Sequence, residues 1–179
     1  MDYEYCILGD LSVDYLVTAD GKIHEGILGG GPAYAAAGAR LWTDSVGLVA
    51  CISPDFPEPL LNQLRQYGIS TLDIHRRPDR HTYHHLLSYV QASQKQEIKA
   101  TSKYVELGRQ IPKALLASIP PHRISPGEQR TFPLPEDLPN EVSHCESIHL
   151  AGVSADPAKL IGHHLRKLRS KIISYDPPT

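Results

Sequence analysis

The apolar run Tyr5-Cys6-Ile7-Leu8, stopped by Gly9, predicts a short buried strand at the start of the chain. Asp10 and Asp14 follow just past its carboxyl end, the edge at which open α/β sheets bind ligands. Two β-like segments, Tyr15-Leu16-Val17-Thr18 and Ile23 to Leu28, flank Ala19-Asp20-Gly21-Lys22, and Asp-Gly between such segments predicts a hairpin. That hairpin carries the chain from Asp14 to a glycine run, so it is placed to form a flap. Residues 32 to 41 then read as a small-residue helix with Pro32 at its first helical position, where the missing N–H has no intrahelical partner to lose.

The continuous apolar run Val46 to Ile52 suits a central parallel strand covered on both faces. A second helix from about Glu58 to Tyr67 places Leu60, Leu61 and Leu64 on one face and ends at Gly68. Thr82 to Val90 is rich in β-formers, with Tyr83, His85, Leu87 and Tyr89 on one side, and is placed in the flap sheet or at its border. Pro112 to Ile119 predicts a short helix. From Pro120 to Pro139 the prolines exclude any long element, so 120–140 reads as a surface excursion. Ser147 to Ala151 is a strand, and Asp156 as N-cap with Pro157 next predicts a helix with Leu160, Ile161, Leu165 and Leu168 inward. Lys171 to Tyr175 is the last strand, with no following helix to cover it, and the pattern therefore reads as one incomplete domain over 1–179. The strand and helix rhythm is that of a doubly wound α/β sheet.

Composition narrows the function. With 18 Lys and Arg against 20 Asp and Glu the net charge is -2, which offers no broad basic surface for nucleic acid. The run Arg166 to Lys171 falls at a helix end, where cations offset the dipole. No apolar run is long enough to span a membrane, and the amino terminus lacks a signal-peptide start, so a soluble cytoplasmic protein is expected. Cys6, Cys51 and Cys145 are widely spaced and fit buried apolar positions in a reducing compartment. His81, His84 and His85 do not read as a metal site, because adjacent strand residues point to opposite faces and no carboxylate joins them.

Candidate chemistry centres on Gly29-Gly30-Gly31-Pro32. Glycines let the main chain approach a ligand closely, and the free N–H groups of the following helix favour anions or hydroxyl-rich groups. The same run also serves as a tight strand-to-helix turn whose alanines pack on a sheet, and the run alone leaves both readings open. A dinucleotide fingerprint is a weaker match, because Gly29-x-Gly31-x-x-Tyr34 lacks the third glycine, and no P-loop occurs.

The order of these pieces resembles the ribokinase, or PfkB, family of carbohydrate and nucleoside kinases. The residues that carry the resemblance are Gly9-Asp10-Leu11-Ser12-Val13-Asp14, the glycines with the helix ending Gly38-Ala39-Arg40-Leu41, and Val46 to Val49. Further on come Asp55-Phe56-Pro57, Gly68 to Thr71, and Asp176-Pro177. The match covers the whole chain as the family's amino-terminal half or somewhat more. It implies a ribokinase-like, mostly parallel, doubly wound sheet with a small β flap or lid, formed by 15–28 and about 72–100, and with the carboxyl-terminal part of the fold missing. It implies substrate contacts from Ser12, Asp14, Gly29, Gly30 and Gly31, with Asp14 accepting hydrogen bonds from sugar or nucleoside hydroxyls, and it aligns Thr82 with a lid-border threonine. Without the resemblance, Asp14 also reads as a turn residue at a strand end.

Tyr34 departs from the family pattern, in which asparagine is common. Its ring either stacks on a base or sugar face or fills the core, and simple ribose specificity does not follow. ATP and Mg2+ are implied by the resemblance alone. The Gly-Ala-Gly-Asp motif that supplies the family's base, the adenine-binding segment and the Asn-x-x-Glu motif are all absent from these 179 residues, so no catalytic residue is assigned. The resulting expectation is the acceptor-binding part of a kinase, inactive by itself. The alternative is a non-catalytic sugar- or nucleoside-binding or regulatory protein on the same scaffold. Partners would be a homodimer mate at the flap edge or a complementary carboxyl-terminal chain.

Overall fold

The structure is a computed structural model that describes residues 3–71, 73–78, 82–91, 94–96, 100–118, 133–168 and 172–177. Its frame is a parallel sheet of five strands in the order β5-β4-β1-β8-β9. These are β1 (Tyr5–Asp10), β4 (Val46–Ile52), β5 (Ile74–Arg76), β8 (Ser147–Ala151) and β9 (Ile172–Asp176). A second sheet, ordered β3-β2-β6-β7, is built from β2 (Ser12–Val17), β3 (Ile23–Gly29), β6 (His84–Gln91) and β7 (Gln94–Gln96). The described helices are α1 (Gly31–Ala39), α2 (Glu58–Gln66), α3 (Ala100–Glu106), α4 (Lys113–Ser118) and α5 (Ala155–Leu165).

Every residue of β4 is buried, as its unbroken apolar sequence requires of a strand covered on both faces. On one face Ile7, Leu48, Ala50 and Ile52 pack with Ala33 and Ala36 of α1 and with Leu60, Leu61 and Leu64 of α2. On the other, Cys6, Leu8, Val49, Ile148 and Leu150 pack with Ile161 and Leu165 of α5. Cys6, Cys51 and Cys145 are buried free thiols. Burial pushes the Cys51 thiol up to about 12, so it behaves as a small apolar side chain.

The smaller sheet sits across the first cluster. Val13 and Tyr15 of β2, with Leu28 of β3 and Leu86 of β6, face the core, where Leu115 of α4 joins them. Ser12 and Asp14 alternate with these positions and therefore lie on the opposite face. β2 pairs antiparallel with β3 and parallel with β6, so the flap is a mixed sheet.

Several expectations are corrected. Asp14 lies inside β2, not in a turn beyond β1, because the chain passes from the first sheet to the second through Leu11 alone. The flap strands start at Ser12 instead of residue 15. Within 72–100, Ile74–Arg76 pairs with β4 in the main sheet and Ala100 already belongs to α3. Gly31 opens α1, which makes Pro32 its second residue. The N-cap of α5 is Ser154, so Asp156 and Pro157 fall inside its first turn, where proline is still tolerated. Leu160 is 59% exposed, whereas the adjacent Ile161 is fully buried.

Of the proline-rich excursion, 120–132 lie outside the described residues, as do Ile119, His81 and Lys171. Its far end meets the core, since the half-buried Leu138 packs on the α5-side cluster. Asp137, in a 3₁₀ turn, forms an ion pair with Arg77 and tethers this segment to the sheet. Among the described residues no helix is long and apolar enough to cross a membrane.

The two neighbours on α5 give opposite outcomes on truncation. Ile161→Ala should lower the unfolding free energy by about 2–5 kcal/mol, because a buried branched side chain is replaced by a cavity. Leu160→Ala should change it by less than ~0.5 kcal/mol. Urea denaturation of both variants checks the assignment of the inward face.

Candidate functional site

The site forms where the two sheets exchange strands. Leu11 links β1 to β2, and Gly30 links β3 to α1, so the two crossovers lie side by side. Gly30 has φ +98, which favours glycine, and a Cβ there would lie 2.2 Å from the Asp10 carbonyl oxygen. Next to it, Gly31 opens α1 against the Ala151–Gly152 backbone at the carboxyl end of β8. The helix amino terminus therefore stands at the carboxyl edge of the main sheet, with no acidic side chain in its first turn.

Asp14 comes to this place from β2. Ser12 pairs with Gly29 across β2 and β3, and Asp14 shares their face of the sheet. Asp14 is only 4% exposed, and its Oδ1 accepts a hydrogen bond from the Ser12 hydroxyl at 2.7 Å. A Cβ on Gly29 would lie 2.0 Å from both Cγ and Oδ1 of Asp14. The carboxylate thus occupies space that only glycine leaves open. A carboxylate has two oxygens with about four acceptor sites in all, so it can bind more than one donor at once.

Tyr34 projects from the first turn of α1 and is 60% exposed, so its ring does not fill the core. Its hydroxyl lies 3.5 Å from the Leu28 carbonyl, a long contact. Burial raises its phenol, and the neighbouring Asp14 and Tyr89 raise it further, so the phenol is held protonated. Asp14, Tyr34 and Tyr89 consequently share one neighbourhood.

Thr82 is placed differently. Its hydroxyl lies 2.9 Å from Asp55 Oδ1 and 2.6 Å from the Ser53 hydroxyl, while its amide donates to the same Asp55 oxygen at 3.1 Å. The hydroxyl has one proton to give, so this network engages it. Thr82 and the Ser53-Asp55 loop together fix the entry to β6, and Arg76 holds that loop through the carbonyls of Ser53 and Pro54. Burial raises the Asp55 carboxyl, but the hydrogen bonds from Ser53 and Thr82 outweigh it and leave the group below the usual carboxylate range. One residue into β6, burial pushes the His84 imidazole down and nearby Asp55 only partly offsets it. His84 lies on the core-facing side against Tyr15, with ring centroids 5.8 Å apart.

The structure thus gathers Ser12, Asp14, Gly29, Gly30 and Gly31, sets Tyr34 beside them, and puts Thr82 at the entry to β6. Ser53 is a contributor that the sequence alone does not single out, and Asp55, which the sequence marks only as part of Asp55-Phe56-Pro57, joins it because their partner Thr82 is 27 or more residues away. Among the described residues no three His, Cys, Asp or Glu side chains form a group able to hold a metal ion.

No family model matches the sequence, and no curated protein matches it. Solved structures do. Ribokinase from Giardia lamblia superposes with a TM-score of 0.70 at 12% identity over 99% of this chain and 51% of its own. Fructokinase from Xylella fastidiosa with bound ATP gives 0.64 at 17% identity, over 99% of this chain and 52% of its own. Aminoimidazole riboside kinase from Salmonella enterica, complexed with aminoimidazole riboside and an ATP analogue, gives 0.56 at 15% identity, over 98% and 50%. The fold is ribokinase-like, and the chain spans about half the length of the structures it matches.

The Thr82 network makes a pH-dependent prediction. Because the folded Asp55 carboxyl is held below its unfolded value, its contribution is present above about pH 4 and lost as the pH falls through the folded value. Thr82→Val should therefore cost about 1 kcal/mol near neutral pH, a figure kept low by solvent screening of the exposed Asp55, and clearly less near pH 3. Denaturant midpoints at the two pH values check this; an equal cost at both would contradict the network.

Proposed function

We propose that this chain is the acceptor-binding part of an ATP-dependent PfkB-type kinase that phosphorylates a hydroxymethyl group on a sugar or nucleoside. The observation that carries the reading is the Asp14 carboxylate buried against the bare α-carbon of Gly29, beside the amino terminus of α1. In this reading the carboxylate accepts two neighbouring hydroxyls and so orients the acceptor, while Ser12 holds Oδ1 in place. The glycines let the acceptor lie against the main chain, and the uncapped N–H groups of α1 face its oxygens. The ribokinase-like fold, and the sugar and riboside kinases that share it, support a polyol as the ligand.

Transfer of a phosphoryl group needs a base and charge stabilisation that this reading does not assign to any of the 179 residues. We assign these residues binding and orientation and leave the transfer step to structure that completes the sheet. Support for such completion comes from β9, an edge strand whose Ile172 is 61% exposed and whose Ser174 and Tyr175 are also open to solvent.

Calorimetry with a panel of pentoses, hexoses and nucleosides tests the reading. At least one should bind, and Asp14→Ala and Gly29→Ala should each weaken it by about a hundredfold or more, the first by removing the acceptor and the second by displacing it. Unchanged affinity in Asp14→Ala would remove the assignment.

A further inference from the structure

The flap face that carries Asp14 is also aromatic. Asp14 of β2 is in register with His85 of β6, so the two side chains stand on the same face. Strand alternation adds Leu87 and Tyr89 to that face. Tyr83, two residues before His85, stacks on its ring, with centroids 5.6 Å apart and planes inclined by 28°. All four are half-buried, whereas Val13 and Tyr15 on the reverse face are buried in the core. From α1 the exposed Tyr34 stands within electrostatic reach of both Asp14 and Tyr89.

We infer that this surface is a stacking subsite for a planar heteroaromatic ring and that the acceptor is an unphosphorylated nucleoside, not a free sugar. The inference rests on the reading of Asp14 as the partner of the acceptor's diol. Adjacent strands lie about 4.8 Å apart, so a furanose whose diol is held at Asp14 carries its attached ring over His85 and the Tyr83–His85 pair. A free pentose or hexose presents hydroxyls all round, and β6 meets it on this face with rings and Leu87, which satisfy few of them. Stacking, by contrast, uses flat ring faces and accepts any base. A phosphorylated acceptor is disfavoured, because Asp14 would repel it.

Calorimetry of the full 179-residue chain with adenosine, cytidine and ribose tests this. Nucleosides should bind about tenfold or more tightly than ribose, and His85→Ala and Tyr89→Leu should each lower that ratio towards one. Saturation-transfer NMR on the unmutated protein gives a second readout that needs no variant: base protons should receive the strongest saturation. Ribose binding with no nucleoside preference, or saturation confined to sugar protons, would overturn the stacking subsite while leaving the polyol site standing. Binding of neither ribose nor nucleoside would end both.

Discussion

The missing side chain at Gly29 is the constraint on which the rest of the site depends. A β-carbon there would occupy the position of the Asp14 carboxylate, so glycine is what allows a charged group to be buried between the flap and the α1 amino terminus. Burying a carboxylate is costly unless its oxygens are partnered. The Ser12 hydroxyl supplies one partner, and the uncapped start of α1 supplies a favourable field nearby. The neighbouring glycines extend the same logic, since Gly30 must pass against the Asp10 carbonyl for the two crossovers to lie together.

The flap is held at two kinds of connection. Leu11 and Gly30 are short covalent links with no slack, whereas the entry to β6 is held by hydrogen bonds from Thr82 to Asp55 and Ser53. The first kind sets where Asp14 can be, and the second sets the strand that stands beside it. Because Asp14 and His85 are register partners, any shift of β6 moves the aromatic face relative to the carboxylate. The position of the aromatic face and the stability of the Thr82 network therefore depend on one strand.

Much of this was legible in the sequence. The apolar runs of β1 and β4, the leucine face of α2 and the Asp20-Gly21 hairpin predicted real elements, because their periodicities are strong and their ends are marked. The glycine run and Asp14 were named as a pair, and they do meet. What escaped was local ambiguity and long-range partnership. β5 has only three residues, too few for a periodicity, and α3 has no apolar stripe or cap signal to announce it. Ser154 and Asp156 are both plausible N-caps, and only the backbone decides between them. Thr82 was placed at the flap border by resemblance, but nothing in its neighbourhood says that its hydroxyl goes to a loop formed by residues 53–55.

The most direct test follows one ligand with two labels. With carboxyl-13C aspartate and 15N glycine in the protein, titration with a ligand bearing a cis-diol should shift the Asp14 carboxyl carbon and the Gly30 and Gly31 amides together, along curves that yield a single dissociation constant. Shifts at the glycine amides without any at Asp14, or at Asp14 without the amides, would show that the carboxylate and the helix amino terminus do not share one ligand, and would contradict the account.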